Sequence, residues 1–547
     1  MRVGNAQGEI VARKREQAGA SVAAVATSYD EVPYESHPYP QSHPDRLATI
    51  ATLFGMKPAP VDKCRVLELG CAAGGNLIPM AASLPGSEFV GVDGSTRQIA
   101  DGQELVDALK LDNIKLRTAD FNELGDDEAP FDYIIAHGVY SWIADPLQEK
   151  LLEICGKLLS PNGVAYVSYN TFPGWHYRGM IRDMMLYHVE QFPEPATKAT
   201  QARALLEFLA QSLQSSTEDP FPSMLRQNLD LIRRQTDSYL LHDHLEEVND
   251  PVYFYQFVAR AQKHGMQYLG ESDFATMLTN MYPKEVTETL QRVAKDIVRM
   301  EQYMDFLRNR TFRQTLLCKS DLTLKRNVTP QDMTPFRIAS PVEVPEKLDI
   351  RSTQPDTFKV GASTTTLTTS VPIVKAAFQH LAEIWPHSVS FDRLLAVSRS
   401  RLSSVTIRDQ AMVQAEVQAL GSAILTGYTV RLLELHTHEP DFITAVSDRP
   451  RATDLSRAQA KRGGRVTNQR HEIVNLDEFS RRTLQLLDGT RDRAALLDSM
   501  ATLVTDGTLM VEQEGRPVAG GEPLKKILGD AVDRCLNRFT KAALLVA

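Results

Sequence analysis

The sequence predicts an α/β protein: a parallel sheet with covering helices, a helical insertion, and a mostly helical C-terminal module. Three observations predict it. Between Arg65 and Ser168 the apolar runs RVLELG, EFVGVD, IKLRTAD, YIIAHG and VAYVSY alternate with helical patterns about every 20 to 30 residues. That is the rhythm of strands buried on both faces. From Tyr177 to about Lys263 the periodicity is helical and no strand candidate occurs. Beyond Pro372, helical stretches such as VKAAFQHLAEIW and DQAMVQAEVQALGSAILTG precede YTVRLLELHT, whose alternation suits a strand or hairpin. Helix pairs followed by a small ribbon suggest a winged-helix-like module.

Taken in order, residues 1–45 form an N-terminal arm. Its first part is small and polar, with a possible amphipathic turn from Ile10 to Arg15, and its second part, YDEVPYESHPYPQSH, is too proline-rich for a regular element. Such a segment is expected to lie extended on something. Residues 46–176 carry the first five strands, and 177–263 form the insertion, broken at Pro193, Pro195, Pro220, Pro222 and Pro251. In residues 264–320, MQYLGES and FRQTLLCK supply the last strands of the same sheet. Residues 321–370, rich in Thr, Ser and Pro with alternating TFKVGAS and TTLTTS, read as a β-rich connector, and 371–547 as the C-terminal module.

At 547 residues the chain is too long for one ordinary core. Its net charge of −9 lacks the positive field of a general nucleic-acid coater. The five cysteines (Cys64, Cys71, Cys155, Cys318, Cys535) are dispersed and never in CxxC spacing, against a disulfide framework or a zinc site, so a reducing compartment is expected. The N-terminal stretch lacks the apolar core of a leader, and no run approaches a membrane span, which makes the cytoplasm the expected location. HDHLEE, His242 to Glu247, has metal-ligand residue types, but helical neighbours on a solvated face explain it without a metal. The basic segment from Arg449 to Arg470 reads as solvated surface, with a docking strip for an acidic protein or for nucleic acid as the rival.

The chemistry concentrates in CRVLELGCAAGGN, residues 64–76, where an apolar strand ends at Leu69 and enters a glycine turn. Gly70 and Gly74 remove Cβ atoms that would block a ligand, and Gly75 with Asn76 opens a helix whose free N–H groups face the same spot. The letters are neither a GxGxxG fingerprint nor a phosphate loop, which disfavours dinucleotide and ATP. Asp93 ends the second strand in EFVGVDGS, placed to accept hydrogen bonds from both hydroxyls of a ribose. In RTADFNEL, Asp120 suits an adenine amino group and Phe121 its ring; a helix cap with a core aromatic is the structural alternative.

In this order, ELGCAAGGN, GVDGS, TADF and FDYIIAHGVYSW resemble the successive motifs of class I S-adenosylmethionine-dependent methyltransferases. YDEVPYESHPYPQSHPDRLATIATLFG, YLLHDHLEEVNDPVYFYQFVARAQKHGMQYLGES and VTNQRHEIVNLDEF are similar to the subgroup with a methyltransferase regulatory domain, which includes rickettsial-type protein lysine methyltransferases. The resemblance implies a Rossmann-like sheet and S-adenosylmethionine as cofactor. It implies Gly70, Ala72 and Asn76 around the methionine moiety and Glu68 orienting the turn or reaching the cofactor amine. Asp93 would bind the ribose, with Gly94, Ser95 and Gln98 following it, and Asp120 with Phe121 the adenine. His137 would stand where cofactor and substrate meet, and Tyr29 and Tyr34 would form an N-terminal lid.

Tyr140, Trp142, Tyr169, Asn170 and Trp175 follow the fourth and fifth strands, at the sheet edge where ligands bind in such folds, and are the candidates for the substrate channel. Large rings there are equally at home in a core. The expected reaction is methyl transfer to a protein side-chain nitrogen, lysine favoured. The competing readings are a small-molecule methyltransferase and a non-catalytic S-adenosylmethionine-sensing interaction protein.

Overall fold

The computed structural model describes residues 36–547 except 126–127, 213–220, 363, 403–409, 514–515 and 519. The first five apolar runs form β1 (Arg65–Leu69), β2 (Glu88–Asp93), β3 (Ile114–Thr118), β4 (Phe131–Ala136) and β5 (Leu159–Asn170). The two later runs form β6 (Met266–Glu271) and β7 (Phe312–Lys319) of the same sheet. The seven strands lie in the order β3-β2-β1-β4-β5-β7-β6. The first five are parallel, but β7 runs antiparallel to both its neighbours, so the sheet is mixed rather than parallel throughout.

Helices α1 (Pro44–Leu53), α2 (Leu77–Ser83), α3 (Thr96–Leu109) and α4 (Asp145–Leu158) belong to the sheet domain. The insertion contains α5 (Gly174–Val189), α6 (Pro195–Ser212), α7 (Phe221–Arg233) and α8 (Asp237–His244), which close on their own core of Ile181, Met185, Leu206, Leu229 and Leu240. The insertion is shorter than its helical periodicity suggests. α9 (Phe254–Lys263) instead lays Phe254, Phe257 and Val258 into the main core. α10 (Lys284–Val293) and α11 (Ile297–Arg308) separate β6 from β7.

The fully buried Arg313 of β7 binds Glu271 of β6 at 2.6 Å and Asp305 and Glu301 of α11 at 2.8 and 3.0 Å. Pairing of this kind is what lets a charge remain inside a core, and losing one partner costs about 3–5 kcal/mol.

The chain after the sheet divides at a different place from the one its pattern suggests. α12 (Pro372–Ile384), α13 (Phe391–Leu402) and α14 (Gln410–Thr429) bury Phe378, Leu394 and Leu420 in the same continuous core as the sheet. A three-stranded ribbon, β8 (Arg337–Ala339) between β11 (Val389–Ser390) and β12 (Glu434–His436), joins them, and β9 (Asp356–Lys359) with β10 (Thr366–Thr369) forms a hairpin. Only Glu434–His436 of YTVRLLELHT is strand, because α14 runs on to Thr429 and Arg431 turns the chain at φ 57°. A second, separate core spans Ala452 to Leu545, built on α15 (Asp454–Arg462), α16 (Glu478–Leu486), α17 (Arg493–Thr505), α18 (Gly521–Lys541) and the hairpin β13 (Arg465–Thr467) and β14 (Ile473–Asn475). The separate C-terminal core thus starts at Ala452, while residues from 372 to about 436 pack with the sheet.

Candidate active site

The carboxyl ends of β1, β2 and β4 lie side by side and form one crevice. Gly70 and Cys71 donate their N–H groups to Val92 O at 2.8 and 3.1 Å, which folds the glycine turn back over β2. Gly70 holds φ 72°, and a Cβ there would stand 2.4 Å from Val139 Cγ2. The glycine is thus required twice, by conformation and by the loop after β4. Asp93 closes the turn from the other side. Its Oδ2 accepts the Ala72 N–H at 2.8 Å, fixing Ala72 at φ 49°, and its Oδ1 accepts the Ser95 N–H at 2.9 Å. A carboxylate at this strand end can accept from ligand hydroxyls as well as from backbone N–H groups. Ser95 caps α3 by accepting the Gln98 N–H, Gly94 faces open space, and the buried Gln98 Oε1 has no partner among the described residues.

Glu68 is buried beneath the turn. Its Oε1 accepts from Asn76 Nδ2 at 2.7 Å, while its Oε2 is buried with no partner among the described residues. Burial pushes this carboxyl up to about 8, against the bond from Asn76. An orphaned carboxylate oxygen beside a glycine turn fits the ammonium of an amino-acid-like ligand.

The arm lies across the crevice. Ser36 Oγ accepts the Gly75 N–H at 2.7 Å, Asn76 Oδ1 accepts the Tyr39 N–H at 2.9 Å, and the Tyr39 ring sits 3.7 Å from that of His137. His137 bonds Tyr166 OH through Nδ1 at 2.9 Å, and desolvation pushes it down to about 3, so it is neutral. Tyr29 and Tyr34 lie outside the described residues, and Tyr39 is the arm tyrosine seen at the site. Asp120 caps the short turn Phe121–Glu123, its Oδ1 accepting from Asn122 N at 2.8 Å and Nδ2 at 2.7 Å. The capping role weighed for it is therefore real, although neither bond uses Oδ2.

The five channel candidates separate. Tyr140 and Tyr169, 0% and 1% exposed, pack with Phe257 of α9, and Tyr169 OH pairs with Thr315 Oγ1 at 3.0 Å. Both rings are packed in the core, the role the sequence reading kept open beside the channel one. Asn170 is buried, with Nδ2 donating to Asn249 Oδ1 at 3.0 Å. Trp142 and Trp175 remain together, edge to face at 6.5 Å, with the buried Trp175 Nε1 lacking a partner among the described residues. His244 stacks on Trp175, and both His242 and His244 are buried rather than on a solvated face. Among the described residues no group of three or more His, Cys, Asp or Glu could hold a metal.

The basic segment is surface as expected, with Arg449, Arg451, Lys461, Arg462 and Arg465 exposed, and several of its charges are paired. Arg451 and Arg457 pair with Asp454, Arg462 with Glu104 of α3, and Arg470 with Glu434 and Glu472 over the Trp385 ring.

Comparison with known proteins shows the family to which this fold belongs. Residues 60–208 match the family described as "Methyltransferase domain", 236–319 "Predicted methyltransferase regulatory domain", and 448–544 "PKMT, C-terminal winged helix domain". The uncharacterized protein RP789 of Rickettsia prowazekii is 38% identical over 539 residues, 96% of this chain and 95% of its own length. The structure of PKMT2 from Rickettsia typhi superposes with TM-score 0.85 at 31% identity, covering 94% of this chain and 100% of that one. The same protein in complex with AdoHcy gives 0.84 at 32% identity, with the same coverage. Fold and crevice together define a class I S-adenosylmethionine-dependent methyltransferase, an enzyme with a C-terminal winged-helix domain. Within that class the chain belongs to the PKMT family.

Proposed function

We propose that this enzyme methylates a nitrogen of a protein side chain, with lysine favoured, in the cytoplasm. The observation that carries the reading is the Trp142–Trp175 pair standing at the same sheet edge as the Glu68–Gly70–Asp93 crevice. In this reading Glu68 Oε2 takes the ammonium of S-adenosylmethionine, the backbone of Gly70 and Ala72 its methionine part, and Asp93 its ribose. Asp120 and Phe121 flank the adenine, while Asn76 and the arm hold the turn in place. The cofactor, when bound, supplies an electrophilic methyl on a sulfonium.

The chain's own task is to bring a neutral amine onto the methyl axis and exclude water. A free lysine titrates near about 10.4, so a desolvating aromatic wall such as Trp142 and Trp175 favours the neutral form that attacks. The family's PKMT designation supports a protein acceptor, and the regulatory and winged-helix domains supply surface for a polypeptide. Five buried free cysteines suit a reducing compartment, and among the described residues no helix is long and apolar enough to cross a membrane.

The test incubates the enzyme with isotopically labelled S-adenosylmethionine and, separately, a protein pool and a metabolite pool. Label appearing in protein, mapped by mass spectrometry to lysine, is the expected result. Label confined to metabolites contradicts the proposal.

A further inference from the structure

The C-terminal domain brings a histidine to the crevice. His471 lies between β13 and β14 at φ 60°, a left-handed conformation, and is 5% exposed. Its Nε2 lies 2.9 Å from Asn76 Oδ1. The direction of that bond is fixed by its neighbours. Asn76 Oδ1 already accepts the Tyr39 N–H, and Asn76 Nδ2 donates to Glu68 Oε1 and Ser42 Oγ, so His471 is the donor. Burial and the adjacent His43 hold its imidazole well below the ordinary range, so it is neutral. Asn76 therefore has both ends occupied, and its amide can present Nδ2 to Glu68 in one orientation only.

The loop bearing His471 is braced before it touches the crevice. Asn468 Oδ1 accepts from Arg470 N and Glu472 N at 2.9 and 2.8 Å, its Nδ2 donates to Ala542 O at 3.0 Å, and Gln469 N donates to Ala543 O. Arg470 ties the same loop to Glu434 at 2.8 Å. A braced loop carrying a residue with positive φ delivers its side chain at little entropic cost.

We infer that His471 is a positioning residue of the cofactor site, by which the winged-helix domain completes the crevice some 400 residues earlier in the chain by orienting Asn76 against Glu68. The inference rests on the cofactor reading of that crevice. It follows by linkage that cofactor binding and docking of this domain favour each other.

The experiment measures S-adenosylhomocysteine affinity of the full chain by calorimetry, with thermal stability recorded in parallel. His471→Asn keeps a residue that tolerates the left-handed backbone but is too short to reach Asn76. We expect about tenfold weaker binding, the scale of one buried hydrogen bond to a group that supports the ligand. In an Asn76→Ala background the same substitution should have no further effect. Unchanged affinity in His471→Asn, or the same loss in both backgrounds, overturns the inference and leaves His471 a structural contact. A second measurement needs no variant: in the wild type, amide exchange over residues 468–472 should slow on saturation with S-adenosylhomocysteine, and unaltered exchange overturns the coupling. If Asp93→Ala binds as the wild type does, the crevice assignment itself falls, and this inference with it.

Discussion

Asn76 Nδ2 donates to Glu68 Oε1 at 2.7 Å and leaves Oε2 of the same carboxyl buried and unpartnered among the described residues. Burial pushes Glu68 up to about 8, so without a cationic partner it is protonated at neutral pH, while pairing with an ammonium requires the anion. Binding must then release a proton. Between pH 6 and 7.5 the affinity for S-adenosylhomocysteine should rise about tenfold per pH unit, and the heat should vary with the ionisation enthalpy of the buffer. Glu68→Gln should bind more weakly and lose both dependences, as calorimetry in two buffers checks.

Gly70→Ala forces a Cβ to 2.4 Å from Val139 Cγ2 at φ 72°. Strain on that scale should cost about 1–3 kcal/mol of stability and displace the turn from Asp93. Thermal unfolding should show a lower Tm, and cofactor affinity should fall with it.

Trp142 and Trp175 face one another, whereas Tyr169 is locked to Thr315. Trp142→Ala should therefore lower kcat/KM for the acceptor by at least about tenfold while S-adenosylhomocysteine affinity stays unchanged. Tyr169→Phe should lower stability by about 1 kcal/mol and leave the kinetics close to wild type. Steady-state assays with each variant separate the two roles.

His436 joins the ribbon to α1: its Nδ1 pairs with Asp45 Oδ2 at 2.7 Å and its Nε2 with Glu434 Oε2 at 3.3 Å. Burial opposes its charge, but Asp45 and Glu434 outweigh burial and raise it from 6.5 to about 9. The folded state therefore keeps a proton that the unfolded chain releases. The stabilisation is full below about pH 6.5 and lost as pH rises through about 9. Tm of the wild type should fall more than that of His436→Gln across this window, as calorimetric scans at several pH values would show.

The sheet was legible because strands buried on both faces read as bare apolar runs, and Gly70 and Asp93 because a tight turn and a strand-end carboxylate restrict residue type. Asn76, expected beside the methionine moiety, links arm, Glu68 and C-terminal domain, a role no local pattern shows. For Tyr140 and Tyr169 the two roles stayed open in the sequence because proximity to a sheet edge does not reveal which way a ring turns, and both rings pack in the core. That α12 to α14 share the sheet's core is not legible, because helical periodicity marks a buried face without naming its partner. His471 was invisible as a site residue, since its contact depends on two domains docking. A proline-rich arm carrying Ser36 and Tyr39 was expected to cover something, but no local pattern could tell where its backbone would land.

The central claim is that the crevice between the glycine turn and Asp93 holds the methyl donor, and calorimetric titration of S-adenosylhomocysteine into the wild type and Asp93→Ala tests it most directly. The account predicts saturable binding to the wild type and a loss of about a hundredfold or more in the variant, with both proteins folded. Equal affinities, or no binding to the wild type, would contradict it.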